Sequence, residues 1–121
     1  VNTKKNNIEI LIKKELRILK INLLSFIKAM SIGFLLRDAS SILFFDNVEL
    51  YIINLKNKSG VNDHIYNRIS LIVGKNGVVI RSLEKANNVK SRIVSTKMYI
   101  LGTYRNFLSL KNKLFKILGV K

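Results

Sequence analysis

Two glycines three residues apart constrain the fold of this chain more than any other feature. Gly74 and Gly77 flank Lys75-Asn76, between a helical pattern that ends at Val73 and another that runs from Val78 to about Asn87. Glycine permits backbone conformations and close approaches that a Cβ would obstruct. The helix that begins after Gly77 offers unpaired N–H groups to a phosphate. The tetrapeptide alone leaves two possibilities open, a phosphate-holding loop and a plain helix-helix turn.

The elements around this turn predict an α+β domain over residues 47–121. The pattern assigns strands to Val48–Leu55, Lys90–Val94 and Lys97–Leu101, N-caps to Asn62 or Asp63 and to Thr103, and an apolar stripe on the last helix to Phe107, Leu110, Leu114 and Leu118. The resulting order β-α-α-β-β-α predicts a type I K-homology (KH) domain, with a three-stranded sheet and helices on one face. Such a domain uses its GxxG loop to clamp about four single-stranded nucleotides.

The first 46 residues predict a hairpin followed by helices. Ile8, Ile10 and Ile12 alternate with other residues, which predicts that Val1–Lys13 is a hairpin with its turn at Lys4–Asn7. A helix is predicted over Ile21–Phe34, broken near Gly33, and a second over Arg37–Phe45. The apolar residues expected to share one face of the first helix are Leu23, Phe26, Ile27, Met30 and Phe34.

The charge of the chain indicates a polyanionic partner. It has 22 Lys and Arg against 7 Asp and Glu, a formal net charge of +15, which favours nucleic acid first and an anionic membrane surface second. The apolar stretch Ile21–Leu36 is interrupted by polar residues and is shorter than 18 residues, so it predicts a buried helix and no membrane partner. With no cysteine in the chain, disulfides and zinc-thiolate sites are excluded.

The residues predicted to contact RNA surround the glycine loop. Apolar side chains would pack against bases, and cations would meet phosphates or stack on base planes. This set comprises Ile72, Val73, Gly74, Lys75, Asn76, Gly77, Val78, Arg81, Lys90 and Arg92. A solvated surface charge is the alternative for each cation. Tyr66, Tyr99 and Tyr104 are candidates for base stacking, although core or rim positions are favoured for them.

Catalysis finds little support in the sequence. The carboxylates are scattered, and no pair has the spacing of a metal site or an acid-base pair. His64 stands alone beside Asp63, where a structural or exposed role is favoured. We therefore predict a protein without catalytic residues, metal or cofactor.

Several segments together resemble the partner-of-NOB family of KH-type assembly factors of the small ribosomal subunit. They are Phe26–Phe34 with Arg37–Ala39, Asp63–Ile65, Ile72–Gly77, Ser82–Glu84 and Lys97–Gly102. The resemblance implies RNA binding at the 3′ end of small-subunit precursor rRNA, and contact with the pre-rRNA endonuclease and other assembly factors. It also implies a nucleolar and nuclear location, with shuttling to the cytoplasm on pre-ribosomes.

The resemblance further implies that residues 1–46 are a partial, divergent KH-like unit without a GxxG loop, in which Val1 falls inside the unit. The chain departs from the family pattern at Asn76, usually glycine, and at Ser70-Leu71, which replace a Gly-Arg pair. The loss of that arginine weakens one of the phosphate contacts that the resemblance implies. A KH-like scaffold that mainly binds protein partners within a ribonucleoprotein particle therefore stays open as the alternative.

Overall fold

The computed structural model describes residues 3–56 and 65–119. The helices are α1 (Thr3–Ile32), α2 (Leu36–Ala39), α3 (Ser41–Phe44), α4 (Ile65–Val73), α5 (Val78–Asn87) and α6 (Tyr104–Leu118), and the strands are β1 (Val48–Asn54), β2 (Lys90–Val94) and β3 (Lys97–Thr103). A short 3₁₀ turn, Lys75–Gly77, joins α4 to α5. The predicted cap at Asn62 or Asp63, and His64, lie outside the described residues.

The three strands form one antiparallel sheet in the order β1-β3-β2. β1 pairs with β3 from Val48 opposite Thr103 to Asn54 opposite Lys97. β2 pairs with β3 from Lys90 opposite Leu101 to Val94 opposite Lys97. The predicted Ser95-Thr96 turn joins the two strands, and Ser95 adopts a φ of 57° there. From β1 onward the order is strand, helix, glycine turn, helix, strand, strand, helix, which confirms the predicted type I KH arrangement.

The sheet is covered on both faces because alternate strand residues point to opposite sides. One face carries Met98 and Ile100, which pack with α4, α5 and α6 in the larger core cluster. The opposite face carries Tyr99 and Leu101, which pack with Ala29, Phe34, Ala39 and Ile42 from the N-terminal helices in a second cluster. The KH helices therefore occupy one face as predicted, and the N-terminal helices complete the core on the other.

The last helix is built as its sequence predicts. The Thr103 side-chain oxygen accepts a hydrogen bond from the Asn106 N–H at 3.2 Å and so caps α6. Phe107, Leu110 and Leu114 are buried along one stripe of this helix. A hydroxyl N-cap and a 3.6-residue apolar stripe are local signals, which is why the sequence predicts this helix correctly.

The predicted N-terminal hairpin is wrong. Among the described residues before β1 there are only helices, and α1 continues for 30 residues. The apolar residues at positions 8, 12, 16 and 19 recur every three or four residues, so they fit a helix as well as a strand. The segment contains neither proline nor glycine before Gly33, and Lys4–Asn7 lacks the glycine that a tight hairpin turn favours.

The packed face of α1 also differs from the prediction. Ala29 is buried, and Phe26 and Ile32 pack against the second core cluster, whereas Leu23 and Ile27 are exposed. Gly33 does end the helix as predicted, at a φ of 114°. The helix predicted over Arg37–Phe45 is divided into α2 and α3. The division of the chain at residue 46 stays a prediction.

Candidate nucleic-acid interface

The glycine loop has a backbone that few residues other than glycine adopt. Gly74 has φ 74° and ψ 178°, a region that is essentially restricted to glycine. Asn76 and Gly77 follow in left-handed conformations, at φ values of 56° and 76°. Asparagine is among the few side chains that tolerate this region. Asn76 therefore fits a position where the resemblance described above implies glycine.

Close packing requires glycine at position 74, whereas at position 77 glycine is favoured by its positive φ. A Cβ on Gly74 would lie 2.4 Å from the Cγ2 atom of Val79, so the first turn of α5 packs directly on the Gly74 backbone. A Cβ on Gly77 would lie 2.8 Å from Nη1 of Arg81. The Arg81 guanidinium thus folds back along α5 and lies beside the loop.

The start of α5 presents donors and positive charge together. Gly77 is the N-cap and has no side chain to bond the first N–H groups of the helix, and the first turn contains no acidic residue. Lys75 and Asn76 are exposed on the loop. The Val78 N–H donates to the Lys75 carbonyl, and the helix dipole and the cations Lys75 and Arg81 converge beside it, where an anion would lie. This geometry suits a phosphate of a nucleic-acid backbone.

The apolar residues predicted beside the loop occupy different environments. Ile72 is fully buried in the larger core cluster, so its side chain holds α4 in place and does not reach a ligand. Val73 is half-buried, and Val78 is 59% exposed. Leu71, 54% exposed, is a further candidate that the sequence prediction did not include, because its exposure depends on how α4 packs.

The two predicted cations of β2, Lys90 and Arg92, lie on the face of the sheet opposite to α4, α5 and α6. Ile93 packs against the cluster beneath α4, α5 and α6, so its neighbour Arg92 points to the opposite side of the sheet. There a Cβ on Gly33 would lie 2.9 Å from Nη2 of Arg92. The Arg92 guanidinium therefore lies against the C-terminal end of α1, where the helix dipole favours a cation. Lys90 is exposed and lines the same cavity as Arg81.

The three tyrosines named as stacking candidates are not grouped. Tyr99 is buried in the second core cluster. Tyr104 is exposed, with its ring centroid 5.9 Å from that of Tyr51. Tyr66 is exposed at the start of α4. The structure therefore leaves Tyr66 and Tyr104 accessible and assigns Tyr99 to the core.

One carboxylate near these cations has a perturbed pKa. Burial raises the pKa of Glu84 above its ordinary value, and the charge of Asp38 adds to this effect. Two partners act in the other direction: the Ser91 N–H, which donates to the Glu84 carboxylate at 3.3 Å, and the charge of Lys90. Glu84 is thus a partly desolvated acceptor between α5 and the start of β2.

Neither a metal cluster nor a membrane span is found in the part of the chain that the structure describes. Across residues 3–56 and 65–119, no three His, Asp or Glu side chains are grouped so that they could hold a metal ion. Within the same ranges, even the long helix α1 is not apolar enough to cross a bilayer.

Comparison with known structures supports the fold. A crystal structure of a protein of unknown function from Aeropyrum pernix matches with a TM-score of 0.72 at 20% identity, covering 84% of this chain and 53% of that one. The crystal structure of Dim2p from Pyrococcus horikoshii matches with a TM-score of 0.67 at 19% identity, covering 79% of this chain and 55% of that one.

Comparison with curated sequences gives a consistent set of relatives, although no protein-family model matches the chain. The pre-rRNA-processing protein pno1 of Aspergillus oryzae is 31% identical over 85 residues, 69% of this chain and 33% of that protein. The PNO1 protein of Saccharomyces cerevisiae is 31% identical over 80 residues, 65% of this chain and 29% of that protein. The chain thus spans about a third of the length of these relatives. Over that shared region it is a homologue of the PNO1 pre-rRNA-processing proteins, which confirms the resemblance to the partner-of-NOB family.

Proposed function

We propose that this protein is an RNA-binding ribosome-assembly factor that binds the 3′ region of small-subunit precursor rRNA and assists its final maturation. The observation that carries the proposal is the glycine loop, which opens the N-terminus of α5 between Lys75 and Arg81 without an acidic residue in the first turn. Relatives named as pre-rRNA-processing proteins support this choice of RNA.

The proposed mechanism is positioning of RNA without catalysis. The loop backbone and the first N–H groups of α5 would hold the sugar-phosphate chain, while Lys75 and Arg81 neutralise phosphates and Val78 packs against a base. The partners in this proposal are the pre-rRNA endonuclease and other small-subunit assembly factors. Its location is the nucleolus and nucleus, with shuttling to the cytoplasm on pre-ribosomes.

The clamp is tested by Lys75→Asp combined with Asn76→Asp. Asp tolerates the left-handed backbone of residue 76, so the double variant changes charge by −3 while the loop shape is kept. Asn112→Asp with Lys116→Asp, both on exposed positions of α6, produces the same charge change outside the loop and serves as the matched control.

Binding to a single-stranded RNA with the sequence of the rRNA 3′ end is measured across salt concentrations. We expect the loop variant to bind at least about tenfold more weakly, and its salt slope to be shallower by about 0.7 for each phosphate that the loop no longer neutralises. The control should lose much less affinity. Equal losses in the two variants would show that RNA binding is non-specific attraction to the net charge, and the clamp would be rejected.

A second candidate function, a scaffold that mainly binds protein, is favoured by one feature of α1. This helix exposes apolar residues over most of its length, including a stripe of Ile8, Leu11, Leu16 and Leu19. If the scaffold function dominates, serine substitutions in this stripe will remove the protein from small-subunit precursor particles, and the Lys75→Asp/Asn76→Asp variant will stay bound to them. Sedimentation of tagged variants with the precursors distinguishes the two functions.

A further inference from the structure

An open cavity lies between the short N-terminal helices α2 and α3 and the KH domain, apart from the glycine loop. It has a volume of about 820 Å³, which lies within the roughly 300–1,000 Å³ range of small-molecule sites. Its walls come from α2, α3, α5 and the start of α6, and from the ends of the strands where β2 begins and β3 finishes. The cavity therefore exists only because the N-terminal helices pack against the second face of the sheet.

The floor and the rim of this cavity differ in chemistry. Buried Val89 and Leu101 line it together with Gly102, and these residues form an apolar floor beside backbone. The amide residues Asn47, Asn88 and Asn106 also line the cavity. An apolar surface with a few polar groups is suited to a flat, partly polar ring, which can lie on the floor and bond at its edges.

The charged residues around the cavity indicate an occupant that carries both hydrogen-bond donors and a negative charge. Lys85 and Lys90 line it and suit the phosphate of a nucleotide, whereas Glu84 and Asp38 line it and would repel a free anion. Carboxylate oxygens accept hydrogen bonds from the exocyclic amino group of a base. A nucleotide whose base carries an amino group satisfies both kinds of residue.

Arg81 connects the cavity to the glycine loop. Its guanidinium lies beside Gly77, and the same residue lines the cavity wall. Both sites also share α5, whose first turn follows the loop and whose C-cap, Asn88, lines the cavity. A strand held at the loop can therefore pass along α5 and place its next nucleotide in the cavity.

We propose that the cavity binds one unstacked nucleobase of the RNA strand that the loop clamps, and that it prefers a base with an exocyclic amino group over uracil. The proposal rests on the RNA-binding function proposed above and adds a position of sequence preference to it. Glu84 and Asp38 accept from the amino group, the amides bond the remaining base edge, and the lysines neutralise the adjoining phosphate.

The test compares the hexanucleotides CUUUUC and UUUUUU on the full chain. A variant with Asn47→Ala, Asn88→Gly and Asn106→Ala removes all three amides that line the cavity, and glycine preserves the left-handed φ of 53° at residue 88. A second variant, Ser41→Phe, fills the cavity from its α3 wall. Asn112→Ala on α6 is the matched control for loss of an amide, and circular dichroism verifies that each variant is folded.

We expect the wild-type protein to bind CUUUUC about tenfold more tightly than UUUUUU, since hydrogen bonds to one base edge discriminate between bases on that scale. Both cavity variants should reduce this ratio to less than about twofold and leave the affinity for UUUUUU nearly unchanged, and the control should preserve the ratio. A ratio near one in the wild-type protein, or one that the cavity variants leave unchanged, overturns the cavity proposal alone. Failure of the wild-type protein to bind either RNA overturns the clamp, and the cavity proposal with it.

Discussion

Replacing Gly74 with alanine measures how far the loop depends on a close approach that only glycine permits. At φ 74° and ψ 178°, a residue other than glycine carries backbone strain of about 1–3 kcal/mol. The added Cβ would lie 2.4 Å from Val79 Cγ2 and 2.8 Å from Val79 Cβ, and relieving such overpacking costs about 1–3 kcal/mol more. Gly74→Ala should therefore lower the free energy of unfolding by about 2–6 kcal/mol, a large part of the roughly 5–15 kcal/mol typical of a domain.

Alanine variants at two other glycines with positive φ show how much of the lost free energy of unfolding comes from the clash and how much from backbone strain. Gly119 has a φ of 72° and no atom within 4 Å of the point that a Cβ would occupy, and at Gly77 the nearest atom belongs to the flexible end of Arg81. Alanine at either position should cost only about 1–2 kcal/mol. Urea unfolding followed by circular dichroism provides the midpoints and slopes from which the three values are compared. If Gly74→Ala is no more destabilising than Gly119→Ala, the close packing of α5 on the loop is refuted.

Three further predictions concern the elements that hold the loop in place. Thr103→Ala should lower the free energy of unfolding by about 1 kcal/mol through loss of the α6 N-cap, with Thr96→Ala as a control, and urea unfolding checks both. Asn87→Ala should cost about 1–3 kcal/mol, because the buried amide donates to a backbone carbonyl and accepts from Ser109; a double variant with Ser109→Ala should lose less than the sum of the two single variants. Burial raises the pKa of Glu84 in the folded protein, so folding favours its protonated form and stability falls as pH rises from the unfolded to the folded pKa. Glu84→Gln should accordingly be more stable relative to the wild-type protein at pH 7 than at pH 3, and an unchanged difference in midpoint between the two pH values would contradict this reasoning.

The KH part of the fold could be predicted because its signals are local. A pair of glycines between helical patterns, the alternating residues of β2 and β3, and the Thr103 cap each act within a few residues. The bounds of α5 and β2 agree with the prediction to the residue, at Val78–Asn87 and Lys90–Val94. The residues predicted to contact RNA do not all lie at the surface of the loop. Gly74 to Gly77, Val78 and Arg81 form or flank the loop, whereas Ile72 is buried.

What could not be predicted depends on which distant residues pack together. The start of α1 is a different case, because Ile8, Ile10 and Ile12 fit the period of a strand, whereas Ile8 and Ile12 with the later Leu16 and Leu19 fit that of a helix, and the helix leaves all of them exposed. The register of β2 on β3 decides which face of the sheet Arg92 occupies. That face is the one covered by the N-terminal helices, so Arg92 lies beside Gly33. The same packing creates the cavity beside Asn88, which brings residues from four helices together although they lie far apart in sequence.

By itself, the sequence determined a basic protein with a KH order of elements and a glycine loop suited to phosphate, because composition and short-range backbone preference suffice for these. The tertiary structure alone decided the face on which each β2 cation lies and the existence of the cavity. Those features depend on burial between segments distant in the chain, and burial is a property of the packed molecule, which periodicity cannot specify.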